Sequence, residues 1–298
     1  MSVSPPDPQA QLQSLVAEEL GTPVDPRVSA MAATIAAQYG EAARAVLFYG
    51  SCLRDVALDG GMLDFYLIVS DYRAAYGSTW LAEANRLIPP NVFPFAHEGL
   101  AAKYAVLSEA DFHRLNGPET RNVSVWARFA QPSRLVWAKD EAARDNAIRA
   151  VARAAPTLLS AALSSVPNDQ PPLDLWRAAF ALTYSVELRA EKGSRSQSVV
   201  DADPARYLRF FGPAMAAAAV GGKRCTGSWR RRRIEGKLLS VARLAKASAT
   251  FAGGAEYIVW KINRHAGTDI RLSDWQKKHP LVTAVTLLPR LLRSGAIR

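Results

Sequence analysis

The stretch FYGSCLRDVALDGGMLDFYLIVSD, Phe48–Asp71, decides the fold. A short apolar run over residues 45–49 is cut off by Gly50-Ser51, and a second over residues 65–69 is opened by Asp64. Both runs are rich in β-branched or aromatic residues and bounded by Gly or Asp, so they read as buried strands. A Gly-Ser turn lets backbone N–H groups approach phosphate oxygens without a Cβ clash, and the Ser51 hydroxyl can donate to the same oxygens. A carboxylate on the adjoining strand, Asp64, suits Mg²⁺, a hard cation that takes oxygen ligands and substrate phosphates. The plainer alternative is a glycine turn between two strands, with Asp64 a solvated strand-end acid.

Outward from this core, residues 104–107, 123–128 and 134–137 are weaker strand candidates. Residues 11–20 and 27–43 carry helical spacing ahead of it. Apolar residues three and four apart predict helices over 143–163 and 173–191. The Gly- and Arg-rich stretch 221–236 reads as a surface loop, followed by basic amphipathic helices over 237–252 and 255–265 and a final one over 275–298. The expected architecture is α+β: a mixed sheet flanked by helices, then a helical domain, then a C-terminal amphipathic segment. The expected divisions are a flexible tail (1–10), a sheet-bearing domain (11–140), a helical domain (141–220) and the basic C-terminal part (221–298).

The bulk properties narrow the partners. A chain of 298 residues, half apolar, is long enough to bury a sizeable core. Its net charge of +10 calls for an anionic partner: nucleotide, nucleic acid or anionic bilayer. Cys52 and Cys225 are far apart and the four histidines are scattered, so neither a disulfide framework nor a zinc site is expected. The first residues have neither a basic n-region nor an apolar h-region, and no apolar run approaches the ~20 residues that span a bilayer. No RNA-recognition, helix-turn-helix or zinc-finger signature accompanies the basic charge, so no stable nucleic-acid partner is expected.

The arrangement of Gly50-Ser51, a spacer and Asp64 resembles the nucleotidyltransferase superfamily that includes DNA polymerase β. The longer match resembles the mitochondrial-type phosphatidate cytidylyltransferases, the translocator assembly and maintenance family. It rests on Tyr49-Gly50-Ser51, Met62-Leu63-Asp64 and Asp71. In the same order follow Gly99 with Lys103-Tyr104-Ala105-Val106, then Ala127-Arg128 with Pro132, and Leu182–Arg189. Ala252-Gly253 before a basic stretch completes the match. The sequence departs from the family at Tyr66 (no acid two residues after Asp64), Ser70 and Gln131, and it lacks a Trp-His pair. The resemblance implies Mg²⁺-dependent transfer from CTP to phosphatidic acid, giving CDP-diacylglycerol and pyrophosphate. It implies Asp64 as the catalytic metal ligand with Asp71 as a second, and Gly50 and Ser51 as holders of the triphosphate. Lys103, Arg128 and Arg189 would neutralise CTP or lipid phosphates. A nucleotidyltransferase with a soluble or RNA acceptor, and a degenerate nucleotide- or lipid-binding scaffold, remain open as alternatives.

A lipid substrate needs a surface. Arg230, Arg231, Arg232 and Arg233, with Trp229 and Lys237, form a dense basic cluster ahead of helices that mix Leu, Val and aromatic residues with Lys and Arg. Such a segment fits an interfacial anchor on anionic lipid, each basic residue contributing about 1 kcal/mol near a charged surface. It equally fits a helix packed on its own core. The expected location is cytoplasmic, peripheral on the inner face of the cell membrane.

Overall fold

The computed structural model describes residues 7–55, 58, 60–167, 169–186, 199–220 and 228–250. Two helices come first: α1 (Pro8–Leu20) and α2 (Pro26–Ala37). Each begins with an Asp that accepts a backbone N–H two residues on, followed at once by a proline, Asp7-Pro8 and Asp25-Pro26. An N-cap carboxylate satisfies an orphan donor, and a proline at the first helical position gives up an N–H that had no partner. The tail expected to run through residue 10 is therefore shorter. The expected 27–43 helix also ends early, at Ala37, because Gly40 adopts φ +49° and a short 3₁₀ turn, Gly40–Ala42, leads into a strand.

That strand is β1 (Ala43–Tyr49), followed by α3 (Ser51–Asp55) and β2 (Met62–Val69). Then come α4 (Tyr72–Ala75), α5 (Thr79–Leu87), β3 (Asn91–His97), β4 (Leu100–Ser108), α6 (Glu109–Asn116), α7 (Trp126–Phe129) and β5 (Ser133–Ala138). The five strands form one mixed sheet in the order β3-β4-β2-β1-β5, with β2 and β4 parallel and the other neighbours antiparallel. The fold is thus α+β, a five-stranded mixed sheet flanked by helices.

Two strand expectations change. Residues 123–128 are not extended: the Asn122 side chain accepts from the Ser124 N–H and hydroxyl, and the chain turns into α7, burying Trp126 and Phe129. Asn side chains that bond the backbone two residues on favour turns over strands. Conversely, β3 is not among the strands read from the sequence, and it carries Pro94. It lies at the sheet edge, where the missing N–H costs no ladder bond.

Beyond the sheet lie α8 (Glu141–Ala152), α9 (Ala154–Ala162), α10 (Pro172–Tyr184), α11 (Pro204–Val220) and α12 (Trp229–Thr250). The single helix expected over 143–163 breaks at Arg153, which puts Pro156 in the first turn of α9, where its missing N–H is tolerated. The alternation of each strand sends side chains to two cores. Ala45, Leu47, Tyr66, Ile68, Ala105 and Leu107 join α1, α6 and the helices after residue 140 in one apolar cluster. Val46, Phe48, Phe65, Leu67, Tyr104 and Val106 join α2, α4 and α5 in the other. The described residues of 141–220 therefore share a core with one face of the sheet. A buried ion pair, Arg206 with Glu19, ties α11 to α1, and Arg206 Nη1 also donates to the Ala130 carbonyl at 3.0 Å.

Among the described residues no helix is long and apolar enough to cross a membrane. The helix expected over 237–252 begins earlier, at Trp229, absorbing part of the expected loop. The helices expected at 255–265 and 275–298 lie outside the described residues.

Candidate functional site

The site forms where β1 ends and β2 begins. In the sheet register Tyr49 faces Asp64, and Asp64 faces Lys103 on β4. Gly50 turns out of β1 with φ +99°, a conformation that L side chains rarely adopt. A Cβ at this position would lie 2.8 Å from Asp64 Oδ2. Gly50 is needed both for its backbone angle and for the close approach of the turn to the carboxylate. Ser51 opens α3 directly after it. The parallel pairing of β2 with β4 sets Lys103 Nζ 2.9 Å from Asp64 Oδ1.

Lys103 also lines a cavity of about 170 Å³ on the same face of the sheet. Tyr49 and Tyr66 form part of its floor, and Arg128 of α7 enters from the side, donating to the Ser124 carbonyl. The opposite wall is α12: Arg243 and Lys246 face the cavity from its C-terminal half. Arg243 donates to the Pro89 carbonyl through Nε (2.8 Å) and Nη2 (2.5 Å), and to Ser124 Oγ through Nη1 (2.9 Å). Lys246 donates to the carbonyls of Ile88 and, at 2.9 Å, Pro90. That segment is itself held in place: fully buried Asn85 accepts from the Asn91 N–H and donates to the Val106 carbonyl and the Tyr76 hydroxyl. Burial, and then the charge of Arg243, push the Lys246 ammonium down to about 7.

Of the residues singled out from the sequence, Gly50, Ser51, Asp64, Lys103 and Arg128 gather around this one end of the sheet. Asp71 does not. It lies past the far end of β2, roughly 20 Å from Asp64 at the strand rise of ~3.3 Å per residue. Its carboxylate caps α4 by accepting from the Arg73 N–H at 2.7 Å. A metal ion shared by Asp64 and Asp71 is therefore ruled out by distance. Arg189 lies outside the described residues. Among the described residues no three His, Cys, Asp or Glu side chains come together. Magnesium commonly takes one or two protein carboxylates and completes its shell with water and substrate phosphates. Asp64 fits an ion that arrives with a nucleotide, but does not make a cage by itself.

The tetra-arginine cluster is also not one surface. Arg230, Arg231 and Arg233 are exposed, but Arg232 is buried at 1% exposure, its guanidinium over the Trp229 ring and donating to the Arg121 carbonyl at 2.8 Å. Trp229 is buried too, with its indole N–H on the Ala161 carbonyl. Arg231 pairs with Glu235 at 2.7 Å.

Arg243 and Lys246 were missed as site residues because a basic helix reads as a membrane-facing one. A usable signal existed. Trp229, Arg232, Gly236, Leu239, Arg243 and Lys246 recur at alternating spacings of three and four, a single stripe of the helix. Basic residues on the stripe that also carries a tryptophan and a glycine point inward. No family model matches the chain, and no curated protein does.

Proposed function

We propose that this chain is a Mg²⁺-dependent nucleotidyltransferase, and specifically a CTP:phosphatidate cytidylyltransferase working at a membrane surface. The observation that carries the proposal is the packing of the Gly50 turn against Asp64, itself paired with Lys103 at the edge of a cation-lined cavity. Gly50 and Ser51 would approach the triphosphate through backbone N–H groups and the hydroxyl. Asp64 would hold magnesium together with those phosphates, and the bound ion supplies charge neutralisation at the α-phosphate and pyrophosphate. In the transfer a phosphate oxygen of phosphatidic acid forms a bond to the α-phosphorus of CTP. The bond from the α-phosphorus to the bridging oxygen breaks, and pyrophosphate leaves with the electron pair. The nucleophile is already ionised near neutral pH, so positioning and electrostatics carry the catalysis and no strong base is required. Lys103 and Arg128 stand where they offset the negative charge gathered there.

The choice of CTP and of phosphatidic acid rests on the sequence resemblance. Support for a surface comes from the outer side of α12, where Arg230, Arg233 and Lys237 accompany exposed Ile234 and Leu238. A second reading, a degenerate nucleotide- or lipid-binding scaffold, is favoured by one observation: Asp71 cannot join Asp64, so the described site carries a single carboxylate. Pyrophosphate release by purified protein with Mg²⁺ and each of the four nucleoside triphosphates, with and without phosphatidic-acid vesicles, separates these. Release with CTP and vesicles alone supports the cytidylyltransferase. Release without lipid moves the acceptor to a soluble molecule. No release from folded protein favours the scaffold.

A further inference from the structure

The cavity carries more positive charge than the nucleotidyltransferase motif accounts for. Among its described lining residues four are cationic, Lys103, Arg128, Arg243 and Lys246, and none is a carboxylate. Lys103 is engaged by Asp64, at the Gly50 end. Arg243 and Lys246 sit at the other end, oriented by the carbonyls of Ile88, Pro89 and Pro90 and by Ser124. The carbonyls of Ile88 and Pro90 fix the position of the Lys246 ammonium. Lys246 is only 8% exposed, and a buried ammonium is costly unless an anion compensates it. Two oriented cations in a semi-enclosed space, on a helix that closes over the sheet from 140 residues away in sequence, make a built site for an anion.

The size of the cavity limits which anion. Pockets that enclose a drug-sized ligand have roughly 300–1,000 Å³, and this one has about 170 Å³. A phosphate group fits, with the rest of its molecule outside, whereas a whole nucleotide does not.

We infer that Arg243 and Lys246, with Arg128, form a binding subsite for the phosphomonoester group of the acceptor, separate from the triphosphate position at Gly50, Ser51 and Asp64. The identity of the acceptor rests on the transferase reading; the subsite itself does not. In this arrangement α12 has two faces with two tasks. Its outer face meets the bilayer, and its inner face takes the headgroup phosphate.

Isothermal titration with dihexanoyl phosphatidic acid, a soluble phosphomonoester lipid, tests the subsite without turnover, and CTP is titrated in parallel. Arg243→Gln and Lys246→Met are expected to weaken phosphomonoester binding at least tenfold and to leave CTP binding within twofold. Lys246→Arg keeps the charge and is expected to stay within threefold of wild type, which separates lost charge from lost folding. Glycerol 3-phosphate, run alongside, distinguishes a lipid from a soluble source: equal affinity keeps the subsite and assigns it a soluble phosphomonoester. Phosphomonoester binding by a wild-type protein that releases no pyrophosphate would remove the transferase and leave the subsite standing. The subsite is overturned if wild type binds no phosphomonoester, if the two neutralising variants bind it as wild type does, or if they lose CTP instead.

Discussion

Gly50 and Asp64 are locked together: the space that a Cβ at residue 50 would fill lies 2.8 Å from Asp64 Oδ2. The glycine is thus a condition for the carboxylate's position, and through the 2.9 Å contact with Lys103 for the charge arrangement of the whole site.

Gly50→Ala is expected to act twice. The φ of +99° costs an L residue about 1–2 kcal/mol, visible as a lower denaturation midpoint. The added methyl also displaces the Asp64 carboxylate, so pyrophosphate release should fall far more than stability does. An alanine variant with wild-type turnover would separate the turn from the site.

Asp64→Asn keeps the shape and removes the charge. It is expected to lower turnover by about 10²-fold or more, in the range seen when one preorganised electrostatic group is lost, while the circular dichroism spectrum and melting temperature stay close to wild type. Asp71→Asn is the matching control. Far from the site and engaged in capping α4, a task that Asn performs as well as Asp, it should leave turnover within about twofold and stability nearly unchanged. If Asp71→Asn abolished activity and Asp64→Asn did not, the site would lie at the other end of β2.

The order of the constellation was legible in the chain, because a strand that stops at Gly-Ser and a strand that starts at Asp are local patterns. Lys103 could be placed beside Asp64 only once β2 and β4 were known to pair in parallel, a long-range choice that no local pattern states. Asp71 misled for the converse reason. Seven residues are close in sequence, but in an extended strand they separate two carboxylates by the length of the sheet. Val123, Val125 and Trp126 give residues 123–128 β propensity, whereas the Asn122 side chain decides for a turn. The inward stripe of α12 was hidden by its charge: helical spacing alone does not say which stripe faces the core, and the exposed Ile234 and Leu238 reverse the usual expectation.

The Glu19–Arg206 pair anchors α11 to α1 inside the core, at 7% and 5% side-chain exposure. Removing one partner strands the other charge. Glu19→Gln and Arg206→Met are each expected to cost about 3–5 kcal/mol in chemical denaturation. The double variant should recover part of that loss, because no buried charge then lacks its counterpart. A double-variant loss equal to the sum of the two single losses would mean that Arg206 acts through its contacts with Ala130 and the Phe210 ring and not through Glu19.

On the outer face of α12, replacing Arg230, Arg233 and Lys237 by Gln is expected to weaken sedimentation with anionic vesicles by about 1 kcal/mol per charge at low salt, and much less at high salt. Arg232→Gln belongs to a different class. Its guanidinium is buried over Trp229, so the expected loss is in melting temperature, with vesicle binding by the folded fraction unchanged. Unchanged sedimentation of the triple variant at low salt would remove this face from the membrane contact.

The depressed Lys246 ammonium gives the cavity a pH signature. Among the described residues, the charged and titratable groups that share the site with it are Arg243 on its own helix, Lys103 and Arg128 across the cavity, Asp64 beside Lys103, and the phenols of Tyr49 and Tyr66. Without ligand Lys246 loses its proton as pH rises through about 7, and a bound anion holds that proton in place. Sulfate keeps its two charges across this range, so any pH dependence of its affinity belongs to the protein. Affinity should be highest below pH 7 and fall above it, by at most about tenfold per pH unit because a single proton is linked. Proton uptake should appear as a titration enthalpy that changes with the buffer. Lys246→Arg carries a charge that does not titrate in this range and should flatten the profile. For folding the sign runs the other way. Between about 7 and the ordinary lysine value near 10.5 the unfolded chain holds a proton that the folded one lacks, so stability rises with pH over that window. A wild-type sulfate affinity that is level from pH 6 to 9, matching Lys246→Arg, would show that Lys246 does not face the bound anion.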